Sequence, residues 1–207
     1  MHASTRAFLT GLCLVILAGC GISKPSRFYI LTPVEGTPAT TVATPGPAVG
    51  IGPITFPVYL DRPEIVHRSS DNQVHYAGAD RWAEPLKATF KRTLAENLSV
   101  LLPTERVIIH PWPRDSEIDF QLILHVTRFD ADASGTVILA TNWEIVRAED
   151  RIVVTRQKAV YNEAVGSMAY PAIVAAQSRA VESLGRDISA AINRAGMTTG
   201  ESVADMP

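Results

Sequence analysis

Hydrophobic and polar positions change period several times along this chain, and each change predicts an element. From Trp82 to Leu102, the residues Leu86, Phe90, Leu94, Leu98 and Leu101 recur at intervals of four, four, four and three, which is one face of an amphipathic helix. Pro85 suits its first turn, where a missing amide hydrogen removes no intrahelical bond, and Pro103 stops it. From Asp119 to Phe129 the period becomes two: Phe120, Leu122, Leu124 and Val126 alternate with Gln121, His125 and Thr127, the pattern of a strand with one face on a core. Strands are likewise predicted over Thr136 to Arg147 and Ile152 to Val165, separated by the loop at 130 to 135 and by Ala148-Glu149-Asp150. A second helix spans Tyr170 to Ala195, with Ile173, Val181, Leu184, Ile188 and Ile192 on one stripe and Gly196 as its stop.

Upstream the elements are shorter. Arg27 to Leu31 reads as a brief edge strand, Val49 to Ile54 as a first full strand interrupted by Pro53, and Arg106 to His110 as another ending at Pro111-Trp112-Pro113. Glu64 to Arg68 and Gln73 to Tyr76 flank Ser69-Ser70-Asp71-Asn72 and predict a β-hairpin. A meander with two amphipathic helices predicts an α+β fold of two layers: a mostly antiparallel sheet with both helices packed on one face.

The first residues follow a different rule. Arg6, an apolar run from Ala7 to Ala18, and Leu17-Ala18-Gly19-Cys20 have the three parts of an export signal ending in a lipobox. The run is shorter than the roughly 20 apolar residues of a membrane-spanning helix, so residues 1–19 are expected to be removed. Diacylglycerol on the Cys20 thiol and an acyl chain on its new amino terminus would then be the only attached groups, with no other cofactor. Several acyl chains anchor stably where one would bind marginally. Gly21 and Ile22 follow the cysteine where sorting by aspartate would favour the inner membrane, so the expected location is the periplasmic face of the outer membrane.

Residues 20–47 are expected to form a lipidated N-terminus and linker. Thr32 to Pro47 is rich in Pro, Thr, Gly and Ala and reads as an exposed, mobile connection reaching on the order of 20 Å. The domain proper is placed at 48–195, and 196–207 is expected to be a disordered tail. Lys plus Arg (19) nearly balances Asp plus Glu (21), which argues against a nucleic-acid partner. Of the two cysteines, Cys13 leaves with the signal and Cys20 is acylated, so the mature domain must be held by packing alone.

Candidate chemistry is thin. His67 and His75 face each other across the predicted hairpin with Ser69, Ser70 and Asp71 at its tip, but no Gly-x-Ser-x-Gly mount supports a nucleophile. His110 and His125 lack a carboxylate or thiolate at zinc-ligand spacing. Phosphate-loop and dinucleotide motifs are absent. The densest unusual chemistry lies in Tyr59-Leu60-Asp61-Arg62-Pro63 and Asp80-Arg81-Trp82-Ala83-Glu84-Pro85-Leu86. Asp61, Arg62, Asp80, Arg81 and Glu84 suggest an ion-pair network with Trp82 as an apolar lid. Alternatively, Asp61, Arg62, Arg81 and Trp82 form a docking patch, Arg and Trp being enriched at interface hot spots.

These same segments, with the lipobox, Arg27-Phe28-Tyr29-Ile30-Leu31, Val49-Gly50-Ile51-Gly52-Pro53-Ile54 and Leu94-Ala95-Glu96-Asn97-Leu98, resemble the PqiC/YmbA family over about residues 20 to 195. That family comprises auxiliary lipoproteins of ABC-type and MCE-type envelope transport systems. The resemblance implies a non-enzymatic outer-membrane lipoprotein that docks on a periplasmic MCE-domain tunnel protein, or on copies of itself as a homo-oligomer, and supports intermembrane lipid transport and envelope integrity. The alternative is a periplasmic carrier holding a lipid between helices and sheet, a role to which Ile123 and Ile138, opposite their strands' main apolar stripes, would contribute.

Overall fold

The computed structural model describes residues 25–36, 46–102 and 104–204. The signal segment, Cys20, the middle of the Pro/Thr-rich stretch and Pro103 lie outside them. Strands are β1 (Arg27–Tyr29), β2 (Val49–Thr55), β3 (Glu64–Ser70), β4 (Gln73–Trp82), β5 (Val107–Ile109), β6 (Phe120–Ala131), β7 (Thr136–Arg147) and β8 (Val153–Ala164). Helix α1 (Leu86–Leu101) follows β4, helix α2 (Tyr170–Ala204) ends the described chain, and a single 3-10 turn covers Val58–Leu60. The periodicity therefore locates each helix and strand, several of them longer than predicted. The hairpin's second strand continues past Tyr76 to Trp82, and α2 passes through Gly196, which is tolerated inside a helix at a cost of about 1 kcal/mol relative to alanine.

Strand β6 organises the sheet. One edge carries β7 along its whole length, and β8 continues beyond it, both antiparallel. The other edge is shared: β2 runs parallel to the first half of β6 (Val49 beside Phe120), and β3 joins at the far end (His67 beside Ala131). The sheet forks there, β2 leading to β5 and β3 leading through β4 to β1. The result is an open α+β sheet whose register pairs are mostly antiparallel, with short parallel joints that the hydrophobic pattern did not foretell.

Both helices cover one face. The predicted stripe of α1 buries Leu86, Phe90, Leu94 and Leu98, and that of α2 buries Ile173, Val181, Leu184, Ile188 and Ile192. They meet closely at Gly185, where a Cβ would stand 3.3 Å from Asn97 Cβ. The rings of Phe56, Phe90 and Phe129 pack edge to face at 5.1 and 5.6 Å in the middle of this layer.

Thr32 to Val34 departs from the expected mobile connection. After β1, which pairs with β4, Leu31 is fully buried between the helices. Leu31 N–H donates to Thr89 Oγ1 (3.2 Å), Thr93 Oγ1 donates to Leu31 O (3.3 Å), Thr32 N–H donates to Ser178 Oγ (3.1 Å) and Val34 N–H donates to Asn97 Oδ1 (2.7 Å). A segment too polar to bury itself is held because α1 presents Thr89, Thr93 and Asn97 one turn apart, each matching a backbone group that needs a partner. Residues 27–34 thus belong to the folded unit, and the linker assigned to 20–47 is interrupted by them.

Candidate docking site

Two segments far apart in sequence build the candidate site. The chain leaves β2 through Pro57, makes the 3-10 turn closed by Leu60 N–H to Pro57 O and Asp61 N–H to Val58 O, and enters β3 through Arg62-Pro63. The end of β4 is stitched beside it, Trp82 N–H donating to Pro63 O (2.7 Å) and Ala83 N–H to Tyr29 O (2.9 Å). Pro85 then opens α1 without a side-chain cap. Asp61, Arg62, Pro63, Trp82, Glu84 and Pro85 line the resulting cleft of about 330 Å³.

The charges expected to form one network form three. Glu64 receives Arg62 (3.7 Å) and Arg81 (3.9 Å), while the Arg62 guanidinium lies 4.3 Å from the centre of the Tyr76 ring. Asp80, almost fully buried, accepts from Arg27 Nη2 (2.8 Å) and from the Tyr29 hydroxyl (2.7 Å). Burial alone would push the Asp80 carboxyl up, but the hydrogen bonds from Arg27 and Tyr29 and the Arg27 charge hold it below the usual carboxylate range. Glu84 accepts from Arg92 of α1 (2.7 Å). Trp82 is only 4 % exposed and belongs to the main core, so it walls the cleft from beneath instead of covering it as a lid. The structure therefore brings Asp61, Arg62 and Trp82 together, while Arg81 braces Glu64 beside them.

The strongest polar centre lies elsewhere. Asp130, fully buried, accepts from the Tyr59 hydroxyl (2.7 Å), Arg68 Nε (3.1 Å) and Arg128 Nε (2.9 Å). Burial, and then the hydrogen bond to Asp130, push the Tyr59 phenol up to about 12. This hub ties the β2–β3 connection, which carries Asp61 and Arg62, to the end of β6. Composition placed Asp130 in a loop, whereas β6 runs on to Ala131 because a bulge between Val126 and Arg128 shifts the alternation by one residue and returns Phe129 and Ala131 to the buried side.

The enzyme-like candidates do not assemble. His67 and His75 are register partners with rings stacked at 5.5 Å, and Ser69 Oγ donates to Gln73 Oε1 (2.9 Å), not to an imidazole. Burial, followed by the neighbouring His75, lowers the His67 pKa. His110 packs on Trp112 and His125 shares a hydrogen bond with Thr55, so the two are not a ligand pair. Among the described residues no His, Cys, Asp and Glu cluster suits a metal ion. A larger open cavity of about 650 Å³, unforeseen in the sequence, lies near the start of β6 between Trp112, Gln121 and Arg151.

Residues 29–189 match the model of a protein family described as ABC-type transport auxiliary lipoprotein component. No curated protein matches the chain in sequence. Among solved structures, protein XCC0632 from Xanthomonas campestris is 16 % identical with a TM-score of 0.66, covering 84 % of this chain and 99 % of its own. A crystal structure of an uncharacterised protein is 20 % identical with a TM-score of 0.67, covering 82 % and 99 %. At these identities the likeness establishes a shared fold.

Proposed function

Because the chain belongs to the ABC-type transport auxiliary lipoprotein family, we propose that it is a non-enzymatic outer-membrane lipoprotein, acylated at Cys20, which docks on the MCE-domain tunnel protein of an intermembrane lipid transport system. The observation that carries the docking role is the cleft: Asp61 and Arg62 meet Trp82 and Pro85 across some 20 residues of chain, on a rigid mount of core and Asp130 hub. Half-exposed Arg62 above a preformed apolar wall is a hot-spot arrangement, since little ordering has to be paid for at binding. Arg81 contributes by holding Glu64, and through it Arg62, in place.

The carrier reading has less support. Phe56, Phe90, Phe129 and Trp143 fill the space between helices and sheet that a lipid would occupy. In the tunnel reading, lipid passes through the partner, and this domain holds the partner's outer end against the membrane. Fractionation of the envelope tests the anchor: the mature protein should band with outer membranes, and the Cys20→Ala variant should be lost from them. Banding with the inner membrane would contradict the location.

A further inference from the structure

Strand β1, the first element after the proposed anchor, presents an apolar side outward. Phe28 is 64 % exposed, and Ile30, just past the end of the strand, is 47 % exposed. The register partner of Phe28 on β4 is Arg81. Arg81 and Arg62 converge on Glu64, and Arg62 stacks on Tyr76, itself 39 % exposed. Phe28, Arg81, Glu64, Arg62 and Tyr76 therefore form a row of two exposed aromatic rings and two guanidiniums that share one carboxylate, and Asp61 beside Arg62 brings the local charge to zero.

Single exposed apolar side chains are ordinary on proteins. This row is different in position. Cys20 lies eight residues before Phe28, and an extended chain of that length reaches at most about 28 Å. Phe28 is held within that distance of Cys20. Aromatic rings settle at the headgroup level of a bilayer, and guanidiniums pair with phosphate there in forked geometry.

We propose that the β1 edge carrying Phe28, with Ile30 just beyond it and Arg81 beside it, rests on the phospholipid surface that holds Cys20, while Arg62 in the cleft stays available to the partner. The inference depends on acylation of Cys20 and is independent of the tunnel partner's identity. It gives the anchored domain an orientation. Tyr29 O accepts from Ala83 N–H at the cleft, so the cleft opens beside the bilayer, where a tunnel delivering lipid has to end. The cavity around Trp112 and Gln121 sits towards the opposite end of β6 from its junction with β3.

The test uses the full mature protein, acylated at Cys20, in vesicles of phosphatidylethanolamine and phosphatidylglycerol. With Cys13 removed and Cys20 blocked, Phe28→Cys and, as comparator on β8, Asn162→Cys each take one nitroxide. Collision of the label with oxygen and with a water-soluble nickel chelate is then read by electron paramagnetic resonance. The oxygen-to-nickel ratio at position 28 should exceed that at 162 several-fold in floated vesicles. Equal ratios at both positions in protein that floats would overturn the inference while leaving the anchor intact. Loss of nickel access without a gain in oxygen, or spin–spin broadening between copies, would assign the face to a protein partner or a second copy and overturn it too. Protein that does not float would remove the anchor and the inference with it.

Discussion

The backbone N–H of Val34 donates to Asn97 Oδ1 at 2.7 Å across 63 residues of chain, where the two helices meet around Gly185. A segment that looks like linker is thereby made part of the core. Asn97→Ala leaves a backbone donor without its partner and should cost about 1–3 kcal/mol. Native-state hydrogen exchange gives the more specific readout: Leu31 and Val34 should lose protection by more than amides of β6 and β7 do. Uniform loss across the domain would mean that the strap does not open separately.

Asp130 should be the polar residue least tolerant of change. Asp130→Ala strands Arg68 and Arg128 and the Tyr59 hydroxyl, and since both guanidiniums keep some solvent contact the expected loss is about 2–3 kcal/mol, below that for a wholly buried pair. Tyr59→Phe removes one neutral donor and should cost about 1 kcal/mol. Chemical denaturation of the two variants checks both the size and the order.

Trp82 and Arg62 sit side by side in the cleft but should fail differently. Trp82→Ala opens a cavity in the core and should lower stability by about 3–5 kcal/mol, whatever it does to binding. Arg62→Glu alters a half-exposed ion pair and should shift stability by less than about 1 kcal/mol while weakening partner capture. Melting curves alongside capture assays separate the two.

Stability should depend on pH in two windows. The folded His67 pKa is lowered, so just below pH 6.5 the unfolded chain takes up this proton while the folded chain does not; stability therefore falls as pH drops through that range. Asp80 is held below its ordinary value of 3.8, so its contribution persists until the pH falls below that value and is then lost. His67→Gln should flatten the upper window only, as measured by denaturant midpoints against pH.

What was legible in the sequence was local. The four-residue spacing of Phe90, Leu94 and Leu98 and the alternation of Leu122, Leu124 and Val126 report a residue's own environment, and the structure has those elements where the spacing puts them. Parallel pairing of β2 with both β5 and β6 was not legible, because periodicity says which face of a strand is buried and nothing about which neighbour it finds. The strap was misjudged for a related reason: Thr32-Pro33-Val34 looks unable to pay its ordering entropy, but the compensating groups are Thr89, Thr93 and Asn97, more than fifty residues away. At the site, proximity of Asp61, Arg62 and Trp82 followed from their local clusters, whereas the Tyr59–Asp130 link required the β6 end to be read as strand.

The most direct test of the docking role places a photo-crosslinking amino acid at position 62 of the full acylated protein in cells and identifies its adducts by mass spectrometry. The account predicts an adduct with an MCE-domain protein that disappears when the crosslinker is moved to position 162 on β8. Adducts with lipid alone at position 62, with no MCE-domain protein recovered from either position, would contradict it.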